Sequence, residues 1–295
     1  MKILVLNSGS SSLKFQLFLI QEERSVASGL IEQIGEKSGH IKCKYTDKDG
    51  NEKVYKKEES IKNHKEALDI AEEFLISNNI INNLDELSGI GHRVVHGGEI
   101  FSNPTLINKD VLTIIKDLSS LAPLHNPANA EGIEVALLHS PNVKQVAVFD
   151  TAFHQSIPRY AYMYALPYEM YEKYNIRKYG FHGTSHKYVA NEFAKLENKK
   201  LEDCNLITLH LGNGASATAI KNGKSIDTSM GLTPLEGLIM GTRSGDLDPA
   251  IINYLNSNTS LSIQEIDNIL NKKSGLKGIC GTNDLREVIE LATSG

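Results

Sequence analysis

The sequence predicts an α/β protein of two domains built on a duplicated unit. Three observations carry this. First, Ile3-Leu4-Val5-Leu6 leads into Asn7-Ser8-Gly9-Ser10-Ser11-Ser12, and Leu13-Lys14-Phe15-Gln16-Leu17 leads out, which reads as strand, tight turn, strand. Second, Asn205–Leu209, the stretch His210-Leu211-Gly212-Asn213-Gly214-Ala215-Ser216 and the alternating run Ala217–Ile220 repeat that order. Third, strands then alternate with helical patterns, and the pattern restarts after about two hundred residues. A length of 295 residues also favours two domains. The boundary is expected after the strand Gln145–Phe149, dividing the chain into residues 1–150 and 151–295.

In chain order, residues 1–20 form two strands, and residues 25–58 continue as polar-rich strands turned at Asp47-Lys48-Asp49-Gly50-Asn51. Ala67, Ile70, Ala71 and Phe74 fall at helical spacing. Gly89–Gly98 reads as a short buried strand ending in a loop. A loop over residues 123–127 precedes a helix marked by Ala130, Ile133 and Leu137. Residues 160–179 read as a Tyr-rich irregular stretch. A helix follows with Thr184 as N-cap, carrying the apolar Val189, Phe193 and Leu196. Residues 227–231 and 241–246 read as polar loops. Ile263, Ile266 and Leu270 mark a helix, and Asn283-Asp284-Leu285-Arg286 starts another.

Composition narrows the function classes. The chain is 40% hydrophobic and 23% charged, ordinary for a globular protein with a sizeable core. A net charge of −5 without a long basic run argues against nucleic acid as a partner. No apolar run is long enough to span a bilayer, and no signal-peptide pattern follows Met1-Lys2, so no membrane is expected. Cys43, Cys204 and Cys280 are isolated and odd in number, which fits a reducing cytoplasm.

Each motif has a bland reading beside its functional one. Gly/Ser/Asn turns can bind anions through successive backbone N–H groups, or can simply be hairpin turns. Gly212-Asn213-Gly214-Ala215-Ser216-Ala217 matches a dinucleotide fingerprint in form, but a strand pattern follows where that fingerprint needs a helix. Gly223-Lys224-Ser225 resembles the end of a P-loop, yet Thr218 holds the position of its first Gly. His92/His96 and His182/His186 have His-x-x-x-His spacing without the Glu of a zinc-hydrolase motif, so His92, His186 and His139 read as core or loop histidines. Arg93, between apolar neighbours and a Gly-Gly loop, calls for an anion. Arg243 sits between Gly241 and Gly245, and each Arg read singly is also consistent with a structural ion pair. Asp150, at the C-terminal end of a strand, reads either as a ligand-binding group or as a turn former.

Together these motifs resemble the acetate kinase family. The segments are Asn7–Phe15, His92–Gly98, Phe149–His154, Tyr179–His186, His210–Gly214 and Met240–Asp246, in family order over nearly the whole chain. Propionate kinases share most of them. The resemblance implies two RNase-H-like domains, as in the actin-like ATPase and sugar kinase superfamily, with the active site in a cleft between them. The second domain, residues 151–295, would be the nucleotide-binding one, here incomplete. The implied reaction is ATP plus acetate giving acetyl phosphate plus ADP, reversibly, with Mg²⁺ or Mn²⁺, in a cytoplasmic homodimer. Asn7 would help to hold the metal. Lys14, the turn His210, Leu211, Gly212, Asn213, Gly214, and Asp284, Leu285 and Arg286 would contact nucleotide. Arg93 would bind the carboxylate beside a methyl pocket of Val95, Leu124, Phe181 and Pro234. His182 and Arg243 would stabilise the transferring phosphoryl group, with Asp150 the essential acid.

Residue chemistry agrees with these roles. Phosphoryl transfer needs positioning and charge stabilisation, and both reactants are anions. Acetate, with a pKa near that of Glu at about 4.3, is already ionised at neutral pH, so Asp150 is expected to orient Arg or hydrated metal and not to act as a base. Family chains continue beyond the last residues seen here, Ala292-Thr293-Ser294-Gly295. The resemblance places a Gly-rich adenosine loop, a metal-associated Glu and a terminal helix in that continuation. A chain without them is expected to bind ATP weakly, turn over poorly and expose apolar surface. The competing expectations are a propionate kinase and a catalytically weak ATP-binding module of the same fold.

Overall fold

The computed structural model describes residues 1–294 and divides the chain into two compact units, Met1–Asp150 and Thr151–Gly295. In the first unit, β1 (Lys2–Gly9), β2 (Ser12–Leu19), β3 (Arg24–Glu32), β4 (Gly39–Thr46) and β5 (Glu52–Glu59) form an antiparallel meander. Then come α1 (His64–Ser77), β6 (Gly89–Val94), β7 (Thr105–Leu106), α2 (Lys109–Asp117), α3 (Asn126–His139) and β8 (Gln145–Phe149). All eight strands join one sheet in the order β5-β4-β3-β2-β1-β6-β8-β7, with β1, β6 and β8 parallel.

The period of two places the core. Leu4 and Leu6 of β1 and Leu13, Phe15 and Leu17 of β2 are buried. Ala67, Ala71, Phe74 and Leu75 of α1 join them in one apolar cluster, and the Phe15 and Phe74 rings lie 6.0 Å apart. Asn63 caps α1 by accepting from the Glu66 N–H at 3.0 Å.

Helix α3 begins earlier than expected. It starts at Asn126, inside the stretch read as a loop, because Pro127 is tolerated in a first helical turn. Gly132 lets this helix approach β1, since a Cβ there would stand 2.1 Å from Ser8 Oγ and 2.7 Å from Ser8 Cβ. Gly132→Ala is therefore expected to destabilise the protein by about 1–3 kcal/mol despite the better helix propensity of Ala. Urea unfolding measures this, and an unchanged or raised midpoint would refute the close-packing account.

The second unit opens with a 3-10 turn over Ala152–Ser156. It continues with α4 (Arg159–Tyr162), α5 (Tyr168–Tyr174), α6 (Gly183–Leu196), β9 (Leu206–Leu211), β10 (Ala215–Lys221), β11 (Lys224–Thr228), α7 (Ala250–Asn258), α8 (Ile263–Lys272), α9 (Gly275–Cys280) and α10 (Leu285–Thr293). Its antiparallel sheet, ordered β11-β10-β9, repeats the β3-β2-β1 meander of the first unit. On the edge strand β9, Ile207, Leu209 and Leu211 are exposed. Among the described residues no helix is long and apolar enough to cross a membrane.

Several local expectations are corrected here. The Tyr-rich stretch is not irregular: it holds α4 and α5, too short to show a periodic face. Asp227 and Thr228 belong to β11 and not to a loop. Thr184 lies inside α6, whose N-cap is His182 with φ 58°. The buried face of α6 is His186, Ala190 and Ala194, whereas Val189, Phe193 and Leu196 are exposed. The small Ala190 and Ala194, four residues apart, let the helix lie close to its neighbours, and His186 is buried because both its nitrogens meet hydroxyls, of Thr208 and Ser216.

Candidate active site

In the first unit, three neighbouring parallel strands bring three polar side chains together. Asn7 is near the end of β1, Arg93 is in β6, and Asp150 directly follows β8. Ligand-binding groups collect at such carboxyl ends in open α/β sheets. Asp150 is 3% exposed, and its Oδ2 accepts from Arg93 Nε at 3.0 Å and Nη2 at 2.6 Å. Arg93 Nη1 donates to Asn7 Oδ1 at 3.3 Å. The Arg93 side chain stays 42% exposed. Partial burial disfavours its charge, and the Asp150 carboxylate more than offsets that. The anion that Arg93 called for on sequence grounds is thus met inside the unit, by Asp150.

The surrounding loop is held by two residues the sequence reading passed over. Asn129 of α3 donates from Nδ2 to Ser8 O at 2.7 Å and accepts at Oδ1 from the Val95 N–H at 3.0 Å. Asn126 likewise brackets His96, accepting from its N–H at 3.1 Å and donating to its carbonyl at 3.0 Å. Their i, i+3 spacing was the available signal, hidden because the segment read as loop. Val95 is buried, Leu124 is 61% exposed, and Lys14 is exposed on β2 opposite Asn7.

In the second unit, His182 and Arg243 converge on the turn between β9 and β10. A Cβ added to Gly214 would lie 3.3 Å from His182 Nε2 and 3.4 Å from Arg243 Nη1. The His182 ring stacks on His210 with centroids 4.0 Å apart, and His210 Nδ1 is 2.9 Å from Ser185 Oγ. Arg243 Nη1 donates to Pro234 O at 3.1 Å. Among the described residues no carboxylate pairs with Arg243, and burial pulls its pKa down. A half-buried guanidinium without a carboxylate is prepared for an anionic ligand.

The turn itself is pinned from outside. Gly241 N–H donates to Asn213 O at 3.0 Å, and a Cβ on Gly241 would meet Asn213 Oδ1 at 2.2 Å. Asn283 Nδ2 donates to the same Oδ1 at 3.0 Å. The tip glycines of both turns are without positive φ, so close approach, and not special backbone angles, explains Gly214. Leu211, Gly212 and Asn213 are exposed, and Phe181 is buried. Asp284 caps α10 and pairs with Arg286 at 2.5 Å, while Leu285 and Arg286 are exposed.

The His-x-x-x-His pairs do other work than metal binding. His92 Nε2 is 2.8 Å from Gln145 Oε1, and both nitrogens of His186 face hydroxyls. Burial lowers His92, His154 and His186 from 6.5 to about 4. They are neutral when folded but take up protons below 6.5 once unfolded. Stability is therefore intact above pH 6.5 and falls as pH drops from 6.5 towards about 4, by about 3 kcal/mol for each of His92 and His154. Equal urea midpoints at pH 7.5 and pH 5 would contradict this.

The meander with parallel strands appended at β1, partly repeated in the second unit, is the RNase-H-like fold of the actin-like ATPase and sugar kinase class. The acetokinase family matches residues 2–295. An acetate kinase of Sulfurovum sp. is 57% identical over 295 residues, covering 100% of this chain and 73% of the relative. Among solved structures, a propionate kinase from Francisella tularensis superposes with a TM-score of 0.92 at 51% identity, covering 100% of this chain and 74% of that one. Porphyromonas gingivalis acetate kinase does so at 0.92 and 42%, covering 100% and 73%. The chain belongs to the acetokinase family, and it is a phosphotransferase, a kinase of the acetate kinase type.

Proposed function

We propose that this chain transfers the γ-phosphoryl group of ATP to acetate, reversibly, giving acetyl phosphate and ADP. The observation that carries the reading is Arg243, half-buried, without a carboxylate partner among the described residues, and set beside His182 over Gly214. Arg93 takes the acetate carboxylate, and Asp150 fixes the guanidinium plane through two contacts to one oxygen. The residues proposed to meet the methyl group are Val95 and Leu124 of the first unit and Phe181 and Pro234 of the second. One carboxylate oxygen attacks the γ-phosphorus, and the bond from that phosphorus to the bridging oxygen of ADP breaks. His182 and Arg243 place donors on the equatorial oxygens, where charge spreads in the transition state. Lys14, the turn from His210 to Gly214, and Asp284, Leu285 and Arg286 contact the nucleotide.

The donor set suits Mg²⁺. Asn7 Oδ1 and the Asp150 carboxylate are hard oxygen donors brought together by Arg93. Mg²⁺ commonly binds through one or two carboxylates, retained waters and substrate phosphates. When bound, it would neutralise phosphate charge, with Asn7 and Asp150 holding its hydration shell. We place the activity in the cytoplasm and in a homodimer, as the family resemblance implies.

A hydroxamate trap for acyl phosphate, run on the 295-residue chain with ATP, Mg²⁺ and acetate, tests the reading. Acetohydroxamate should form, slowly in this chain and faster in a version that carries the continuation. Silence of both versions with acetate, propionate and butyrate alike would overturn it and favour the weak ATP-binding module. The likeness to a solved propionate kinase keeps propionate as the second acceptor, and the ratio of rates on the two acids decides between them.

A further inference from the structure

Behind His182 stands a buried line of three side chains that the proposed chemistry does not use. His182 Nδ1 is 2.9 Å from Ser216 Oγ. The same oxygen is 2.7 Å from His186 Nε2, and His186 Nδ1 is 2.8 Å from Thr208 Oγ1. Ser216 is 0%, His186 1% and Thr208 5% exposed.

The hydrogens in this line can be ordered from chemistry alone. A hydroxyl has one hydrogen, so Ser216 gives to one imidazole and receives from the other. His186 is held neutral by burial, with a pKa of about 4, and so carries one N–H. Among the described residues, the Thr208 hydroxyl has only His186 Nδ1 as an acceptor. Burying that O–H with no acceptor is unfavourable, so its hydrogen goes to Nδ1. His186 must then donate from Nε2 to Ser216 Oγ. Ser216 in turn donates to His182 Nδ1.

We infer that Ser216, backed by His186 and Thr208, is a positioning residue that sets the tautomer of His182, so that the neutral ring carries its hydrogen on Nε2. That nitrogen lies on the Gly214 side, beside Arg243 Nη1. An N–H there donates to a phosphoryl oxygen, whereas the opposite tautomer would present a lone pair to an anion. The inference rests on the reading that His182 meets the transferring phosphoryl group. The assignment of the hydrogen is independent of turnover.

The test is ¹⁵N NMR of the histidine-labelled 295-residue chain near pH 8, together with steady-state kinetics. In the unmodified chain the His182 hydrogen should be on Nε2. Ser216→Ala removes the donor to Nδ1, so the His182 signals should move towards a mixture of tautomers. Turnover should fall about tenfold or more, with the KM for acetate within about threefold. Ser216→Thr keeps a hydroxyl and should restore the Nε2–H form. A hydrogen on Nδ1 in the unmodified chain, or an unchanged His182 pattern in Ser216→Ala, would overturn the inference. Should Ser216→Ala fail to fold, Ser216→Gly removes the same hydroxyl, and an unchanged His182 pattern there is equally fatal. A chain that shows the Nε2–H form but, like the version with the continuation, makes no acetyl phosphate refutes the proposed function and leaves the tautomer assignment standing.

Discussion

Arg243→Ala should lower turnover by about a thousandfold while moving the KM for acetate by no more than about threefold. Among the described residues, the Arg243 side chain has one oxygen partner, the Pro234 carbonyl at 3.1 Å, and a long contact to Met240 Sδ at 3.8 Å. Its charge is not used to hold the fold. It is placed beside His182 Nε2, and both groups face Gly214. An interaction made mainly in the transition state is lost from kcat and from kcat/KM alike. Arg243→Lys should recover little, because a lysine ammonium cannot reproduce the planar fork that matches phosphoryl oxygens. Urea midpoints of both variants should stay close to that of the unmodified chain. Near-normal turnover in Arg243→Ala would remove the phosphoryl clamp from the proposal.

The second large effect is expected at Asp150. Asp150→Asn should lower kcat/KM by about a hundredfold without changing the shape of the pH–rate profile. The carboxylate is buried, and it binds Arg93 through Nε and Nη2. Its loss lets the guanidinium turn, which misplaces the acceptor. A general base would leave a different signature, because its removal erases the acidic limb of the profile. Acetate is already ionised there, with a pKa of about 4.3 by analogy with Glu, so no proton has to be removed. Arg93→Ala should raise the KM for acetate and also destabilise the protein by about 2 kcal/mol, once the half-exposure of Arg93 is allowed for. The double variant should be little worse than the poorer single one, since the two residues act as a unit. Full additivity would dissolve that unit. Near-full turnover and metal affinity in Asp150→Asn would show that Asp150 orients neither Arg93 nor a hydrated metal.

Much of the fold was legible because it is local. The alternation in residues 13–17, and again at 217–220, is a period of two that a helix cannot satisfy, so β2 and β10 were readable, while β1 was readable as the short apolar run Ile3-Leu4-Val5-Leu6 ending in a turn. The same alternation excluded a dinucleotide-binding helix after Gly214. Helices α1 and α8 were readable from their spacing. Where local rules conflicted, the reading failed. Pro127 resembles a loop residue until it is placed in a first turn. On α6, hydropathy favoured Val189, Phe193 and Leu196, but packing chose His186, Ala190 and Ala194.

The candidate site divides along the same line. The sequence by itself determined the types of residue, the order of the motifs and the two Gly-containing turns, because these depend on short-range backbone chemistry and on side-chain identity. Only the tertiary structure decided the partners. Arg93 meets Asp150 from 57 residues away and Asn7 from 86. Ser216 lies between two histidines 34 and 30 residues away in the chain, and Asn129 reaches Ser8 across 121 residues. Such contacts form where parallel strands align their ends and where a helix with Gly132 can come close enough. Hydropathy and periodicity carry no record of which distant atoms will share one hydrogen bond.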